Sequence, residues 1–368
     1  MNKTSEKLIE LINVLFKRSE ETINAFMPLY THLQGGQLGV FAHYLNNYVS
    51  QILRSLVRIE EIYFRVNFNP LGACSIGGTN IKIDRNRTTE LLGFYEPIEN
   101  SIDAISSRDY IIETLMCLAL ISVQFSRIAE DLLIWSTKEF QFIELSDEFC
   151  SVSSVMPQKK NPDTIEMIRS KCSKLISNLF SALVIVKAIP SGYFRDFQEL
   201  KTVLRNSFDT LFNIIEMLIG IFDTIQIKEK NMIENINDSY ILALDLAEYL
   251  VEHHDIPFRV SHEIVANLVK NSTNPRDFLK KREIEALVLK IYNKKIELPD
   301  EFSELKKDLD FWLGKRISKG SPSKSQIKET LQLLNQKKVT IMKKYNERIE
   351  HIKKSTKIRE NLIKSLMA

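Results

Sequence analysis

Apolar residues at the start of this chain recur every three or four positions. Leu8, Leu11, Ile12, Leu15, Phe16, Ile23 and Phe26 share one helical period between Lys3 and Met27, so the chain opens in or near a helix. Tyr30 to Gly39 breaks that period. A second long helix is expected from Val40 to about Phe64, followed by a turn-rich stretch, Asn67 to Asp84, that contains Asn69-Pro70, Gly72 and Gly77-Gly78. Ser101 to Trp135 reads as a third long helix with Asp103 and Asp109 in its first turns. After an aperiodic segment from Phe140 to Lys160, helices are expected over Pro162 to Ile189, ended by Pro190, and from about Arg195 to Ile225. Strand patterning is scarce throughout.

These long segments are apolar on more than one face, which places them inside a bundle or at a subunit interface. Beyond about Lys228 the texture changes to shorter helical segments divided by polar turns at Asn235 to Asp238, Asn271 to Pro275 and Gly320 to Pro322. The expected fold is therefore all-α: a long central helical bundle over residues 1–229 and a small C-terminal helical domain over 230–368. Composition agrees, since 11 Gly and 10 Pro in 368 residues are few for a chain rich in turns.

Charge and cysteines narrow the classes. Net charge is +3, but Gln336 to Ala368 holds ten Lys or Arg against three Glu, a local +7. Val339, Met342, Tyr345, Ile349 and Ile352 recur at helical spacing there, so an amphipathic helix with a basic outer face accounts for the tail, and nucleic acid is not the implied partner. Cys74, Cys117, Cys150 and Cys172 lie far apart, without a C-x-x-C pair or nearby histidines. They read as reduced thiols, with no metal or other cofactor implied. The uninterrupted run Leu115 to Val123 is too short to span a bilayer, and Met1 to Phe16 has no signal-peptide run. The expectation is a cytoplasmic protein with no membrane partner.

The chemistry concentrates between Ser153 and Glu166. The segment Ser153-Ser-Val-Met-Pro-Gln-Lys-Lys-Asn161-Pro-Asp-Thr-Ile-Glu166 sets two hydroxyls and two ammonium groups just ahead of a helix start. Asn161 reads as its N-cap and Pro162 as its first residue. Backbone amides at such a terminus, beside Lys159 and Lys160, suit a carboxylate.

The wording Ser-Ser-x-Met-Pro-x-Lys-x-Asn resembles the signature loop of the fumarase/aspartase superfamily, and Gln-Lys-Lys-Asn-Pro-Asp is similar to its argininosuccinate lyase family. Four further segments match that family in order: Thr31-His32-Leu33-Gln34; Asn69-Pro-Leu-Gly72 with Gly78-Thr79 and Ile83-Asp84-Arg85; Asn100-Ser-Ile-Asp103 with Arg108-Asp109; and Tyr193-Phe-Arg-Asp-Phe-Gln198-Glu-Leu-Lys201. Pro257-Phe258-Arg259 with His262 falls where the family has a C-terminal motif. The resemblance implies cleavage of L-argininosuccinate to L-arginine and fumarate by a homotetramer whose active sites are each built from three subunits.

It also implies roles. Ser153 and His32 would be the proton-transfer pair, with Glu166 orienting His32. Which of the two takes the carbon proton stays open, although the family favours the loop serine. Lys159, Asn161 and Thr31 would hold the fumarate-side carboxylates, with Lys159 also easing the serine's loss of its proton. Tyr193, Gln198 and Lys201 would hold the amino-acid end of the arginine half.

Some features depart from the family pattern. Val152 stands where a glycine precedes the serine pair, and Phe194 where an asparagine follows Tyr193. The family's N-terminal domain and its Ser-Arg-Asn-Asp-Gln segment are expected to be lacking. Two other readings therefore stand beside the first: another lyase of the superfamily, such as adenylosuccinate lyase, and a non-catalytic helical scaffold.

Overall fold

Five long helices form one bundle, and each is long because its apolar stripe is continuous. The structure is a computed structural model that describes residues 1–367 apart from 276 and 277; Ala368, the end of the basic tail, lies outside them. Helices α1 (Asn2–Glu21), α2 (Phe41–Val66), α5 (Asp109–Ser136), α6 (Asp163–Val186) and α7 (Glu199–Thr224) pack as α1 on α2 and α7, α5 on α2, α6 and α7, and α6 on α7. Leu11, Tyr48, Phe125 and Phe222 are among the side chains closed into this core. Tyr48 donates its hydroxyl to Asp131 at 2.8 Å, so the polar head that it carries into the core is satisfied. Burial pushes both Tyr48 and Asp131 above their ordinary ranges.

The third expected helix is divided. Short α4 (Ser101–Ser106) stops at Ser107, whose backbone is extended, and α5 restarts at Asp109. The Ser107 amide still donates to the Asp103 carbonyl at 2.9 Å, but the backbone turns extended at that residue, a local break that periodicity does not register. α5 also amends the membrane expectation: although charged residues interrupt its apolar run, by length and composition it could cross a bilayer. Here it is a core helix, with α2, α6 and α7 against it.

The break at Tyr30 is a hairpin. β1 (Phe26–Thr31) pairs antiparallel with β2 (Gln34–Val40), Phe26 opposite Val40 and Thr31 opposite Gln34. Gly39 gives the Leu29 side chain its place, since a Cβ there would lie 2.7 Å from it and force it to shift. The other strands, β3 (Phe68–Asn69) with β4 (Glu96–Pro97), β5 (Ile143–Glu144) with β8 (Gln226–Ile227), and β6 (Ser151–Val152) with β7 (Lys160–Asn161), are two-residue ladders that pin loops. α3 (Arg85–Leu92) is capped by Asp84, which accepts from the Arg87 amide.

A second core gathers Leu38 and Val40 of β2 with Leu246 of α9 (Ala243–His254), Ile264 of α10 (Phe258–Asn271), Ile284 of α11 (Lys281–Tyr292) and Trp312 of α12 (Leu309–Gly314). α8 (Glu229–Asn237) leads into it and contacts β1. The last helix, α13 (Lys324–Met367), runs 44 residues back along α1, α2 and α3. Its buried Arg348 donates to Glu60 of α2 at 2.9 Å and stacks 4.3 Å from the Tyr63 ring centroid.

Candidate active site

The Ser153 loop is a hairpin standing directly on the start of α6. Ser151 pairs with Asn161 and Val152 with Lys160, and the Ser153 amide extends the ladder by donating to the Lys159 carbonyl at 3.2 Å. The chain reverses over Ser154 to Gln158. Within the turn, the Ser153 hydroxyl oxygen accepts from the amides of Val155 at 3.3 Å and Met156 at 3.0 Å. Two donors on one hydroxyl oxygen favour negative charge on it. Lys159 is exposed, and among the described residues its ammonium has no hydrogen-bond or ion-pair partner. Lys160 is committed elsewhere: it donates to the Leu145 carbonyl and pairs with Asp147 at 2.6 Å, which raises its pKa.

The helix start differs from the expectation by one residue. Asn161 belongs to β7, Pro162 occupies the cap position with φ −80° and ψ 49°, and α6 begins at Asp163 without a side-chain cap. Strand pairing with Ser151 holds the Asn161 backbone extended, while its side chain is left half-buried behind the hairpin. Glu166 is exposed in the first turn of α6.

Thr31 and His32 occupy the tip of the β1–β2 hairpin, both exposed. Its two-residue loop is His32-Leu33, with φ of 54° and 57°. Those are the signs of the tight turn that fits a twisted hairpin, a turn that normally selects Asn and Gly. The tip of the hairpin is anchored next to Thr31 by Tyr30, which donates to Asn235 of α8 at 3.1 Å and packs on Phe140 and Phe142. Burial raises the pKa of Tyr30.

Tyr193 follows Gly192, whose φ of 127° turns the chain after Pro190. Tyr193 is 56% exposed, and the Gln198 amide donates to its hydroxyl at 3.3 Å. Lys201 lies three residues beyond Gln198, in the first turn of α7, and is exposed on the same side. Tyr193 also lines a cleft of about 990 Å³ with Leu71, Asn100, Asp103 and Arg108. Parts of three motifs read from sequence, Pro70 to Gly72, Asn100 with Asp103 and Arg108, and Tyr193, thus meet at one concavity. Asn100 accepts from the amides of Ile102 and Asp103 to start α4, and Arg85 donates to the carbonyls of Leu71, Asn69 and Ile98 to close the cleft wall.

The nine candidate residues therefore stand as three groups: Ser153, Lys159, Asn161 and Glu166; Thr31 and His32; Tyr193, Gln198 and Lys201. Among the described residues no hydrogen bond or ion pair joins one group to another. Sequence reasoning missed the network Lys228–Glu144 and Lys160–Asp147 under the Ser153 hairpin. Its pairs join residues far apart along the chain, and only the fold reveals them.

Known proteins place this arrangement. The family described as Lyase matches residues 1–177, and the one described as Argininosuccinate lyase C-terminal matches 240–306. An argininosuccinate lyase of Methanocaldococcus jannaschii is 39% identical over 358 residues, covering 96% of this chain and 72% of that protein. The chain belongs to the argininosuccinate lyase family. Another member, from Methanococcoides burtonii, is 43% identical over 270 residues, 73% of this chain and 55% of its own length. The fold is that of EDDS lyase, whose crystal structure with formate superposes with a TM-score of 0.88 at 24% identity over 98% of this chain and 72% of that one. A class II fumarase from Schistosoma mansoni gives 0.67 at 17% identity over 85% of this chain and 67% of its own. The protein is thus a lyase of the fumarase/aspartase superfamily.

Proposed function

We propose that the protein cleaves L-argininosuccinate into L-arginine and fumarate, as a cytoplasmic homotetramer serving arginine biosynthesis. Identity to argininosuccinate lyases over nearly the whole chain carries this reading. In the proposed site, Ser153, as the alkoxide that Lys159 and its two backbone amide donors favour, takes the proton from the succinyl carbon next to the C–N bond. The electron pair left behind spreads into the neighbouring carboxylate, forming a dianion. Lys159, Asn161, Thr31 and the amides at the start of α6 would stabilise that charge, which a preorganised cationic site does well. Collapse of the dianion forms the fumarate double bond and breaks the C–N bond. An acid, assigned to His32 oriented by Glu166, protonates the departing nitrogen. Tyr193, Gln198 and Lys201 would hold the arginine α-amino and α-carboxylate groups.

The separation of the three groups supports a site pooled between subunits. Exposed Met116, Leu120 and Val123 on α5, and Phe180 and Val184 on α6, are apolar faces for that assembly. On this reading residues 1–229 form the motif-bearing bundle and 230–368 the C-terminal domain. Following fumarate absorbance after adding argininosuccinate tests the proposal. Release from adenylosuccinate instead, or from neither compound, would overturn it.

A further inference from the structure

Arg108 sits where the chain breaks between α4 and α5, a position periodicity assigns to the first turns of one longer helix. Its guanidinium donates to the carbonyls of Ile105, at 3.0 Å, and Ser107, which fixes the side chain across the end of α4. The face of that planar group lies 4.3 Å from the ring centroid of Phe197. Phe197 is buried in a small third core with Leu115, Ala182 and Leu200, and lies in the single turn Arg195–Gln198. Arg108 also lines the cleft that Tyr193 enters.

The chain between Tyr193 and Gln198 has few other restraints. Among the described residues, the side chains of Tyr193 and Gln198 hydrogen-bond to each other and to no third group, at a distance near the long end of the range. Their placement thus depends on the one buried ring between them. A guanidinium stacked on that ring, while donating to two carbonyls, locks it from the α4–α5 side.

We propose that Arg108 is a positioning residue for the substrate's amino-acid end: it holds Phe197, and through it the Tyr193–Gln198 pair. The inference rests on the assignment of Tyr193 and Gln198 to that end of argininosuccinate. Arg108→Lys keeps the charge and a donor for the carbonyls but has no planar group to lie on the ring.

The test compares the full protein with Arg108→Lys and Phe197→Leu. Arg108→Lys is expected to raise KM for argininosuccinate about tenfold with kcat within about twofold, in keeping with a lost stacking contact remote from the reacting atoms. Inhibition by L-arginine weakens by the same factor, and inhibition by fumarate is unchanged. The double variant is no worse than the poorer single one, because both remove the same contact. Hydrogen exchange at the amides of residues 193–198 accelerates in Arg108→Lys, while the interiors of α6 and α7 keep their protection. Parental KM and parental exchange in Arg108→Lys, or a fall in kcat at constant KM, overturns the inference. A parent protein that releases no fumarate from argininosuccinate defeats the substrate assignment instead, and the exchange measurement alone then decides whether Arg108 holds the segment.

Discussion

Ser153 has its oxygen already solvated by backbone amides before any substrate arrives, so removal of the hydroxyl takes away a proton acceptor and leaves the hairpin ladder in place. Ser153→Ala should lower kcat about a hundredfold or more while KM changes little, in line with the usual size of general-base contributions. A variant with parental kcat would exclude the serine from proton transfer. Lys201 is solvent-exposed and remote in sequence from that loop. Lys201→Ala should act mainly on KM, by about tenfold or more for one charge-assisted contact, and steady-state kinetics separates the two outcomes. At this scale the sequence was readable where side chains work as a local word: Ser153, Lys159 and Asn161 sit together because a five-residue turn, Ser154 to Gln158, can only bring them together. It was unreadable where a role depends on a partner from another element. Arg108 illustrates this, since its ring partner is in a segment reached only after α5 and α6.

Periodicity locates the helices because burial of one stripe drives them, and it fails where a local hydrogen bond or a tight turn decides instead. The β1–β2 hairpin shows this: Gln34-Gly-Gly-Gln is a poor strand by composition, and its His32-Leu33 turn lacks the usual Asn-Gly sign. The bundle is most sensitive at Phe125, which is fully enclosed on α5. Phe125→Ala should cost about 3–5 kcal/mol, visible as a lower midpoint in urea denaturation, whereas an unchanged midpoint would mean the core collapses into the space. In the C-terminal domain, Asp245 of α9 accepts two hydrogen bonds from Arg316, yet burial raises its pKa to about 6. A carboxyl that holds its proton more tightly when folded favours the fold fully below its unfolded value near 3.8 and loses that contribution as pH rises through about 6. Between pH 4 and 7 the parent should therefore lose up to about 3 kcal/mol relative to Asp245→Asn, which has no such proton to release. Parallel denaturation curves at both pH values would refute that linkage.

At the scale of the whole molecule, the proposed pooled site goes with the apolar side chains left exposed along α5 and α6, such as Met116, Leu120, Phe180 and Val184. A tetramer should follow, read by light scattering, and mixed assemblies of Ser153→Ala and His32→Asn chains should regain part of the activity that neither retains alone. Mixtures as inactive as their components would show that one chain supplies both groups. α13 adds a constraint of another kind. Lys338 donates to Asn13 at 3.0 Å, Tyr345 to Glu6, and Arg348 to Ser5 at 3.4 Å, so residues near the end of the chain close over those near its beginning. Contacts so distant in sequence form late. On the ribosome, α1 and α2 emerge with the flank that α13 will cover still bare, and they wait in that state until α13 has followed them out. During synthesis that uncovered flank is where a nascent-chain chaperone has most to shield, and the emergence of α13 from the exit tunnel sets the moment at which the outer layer of the bundle can close.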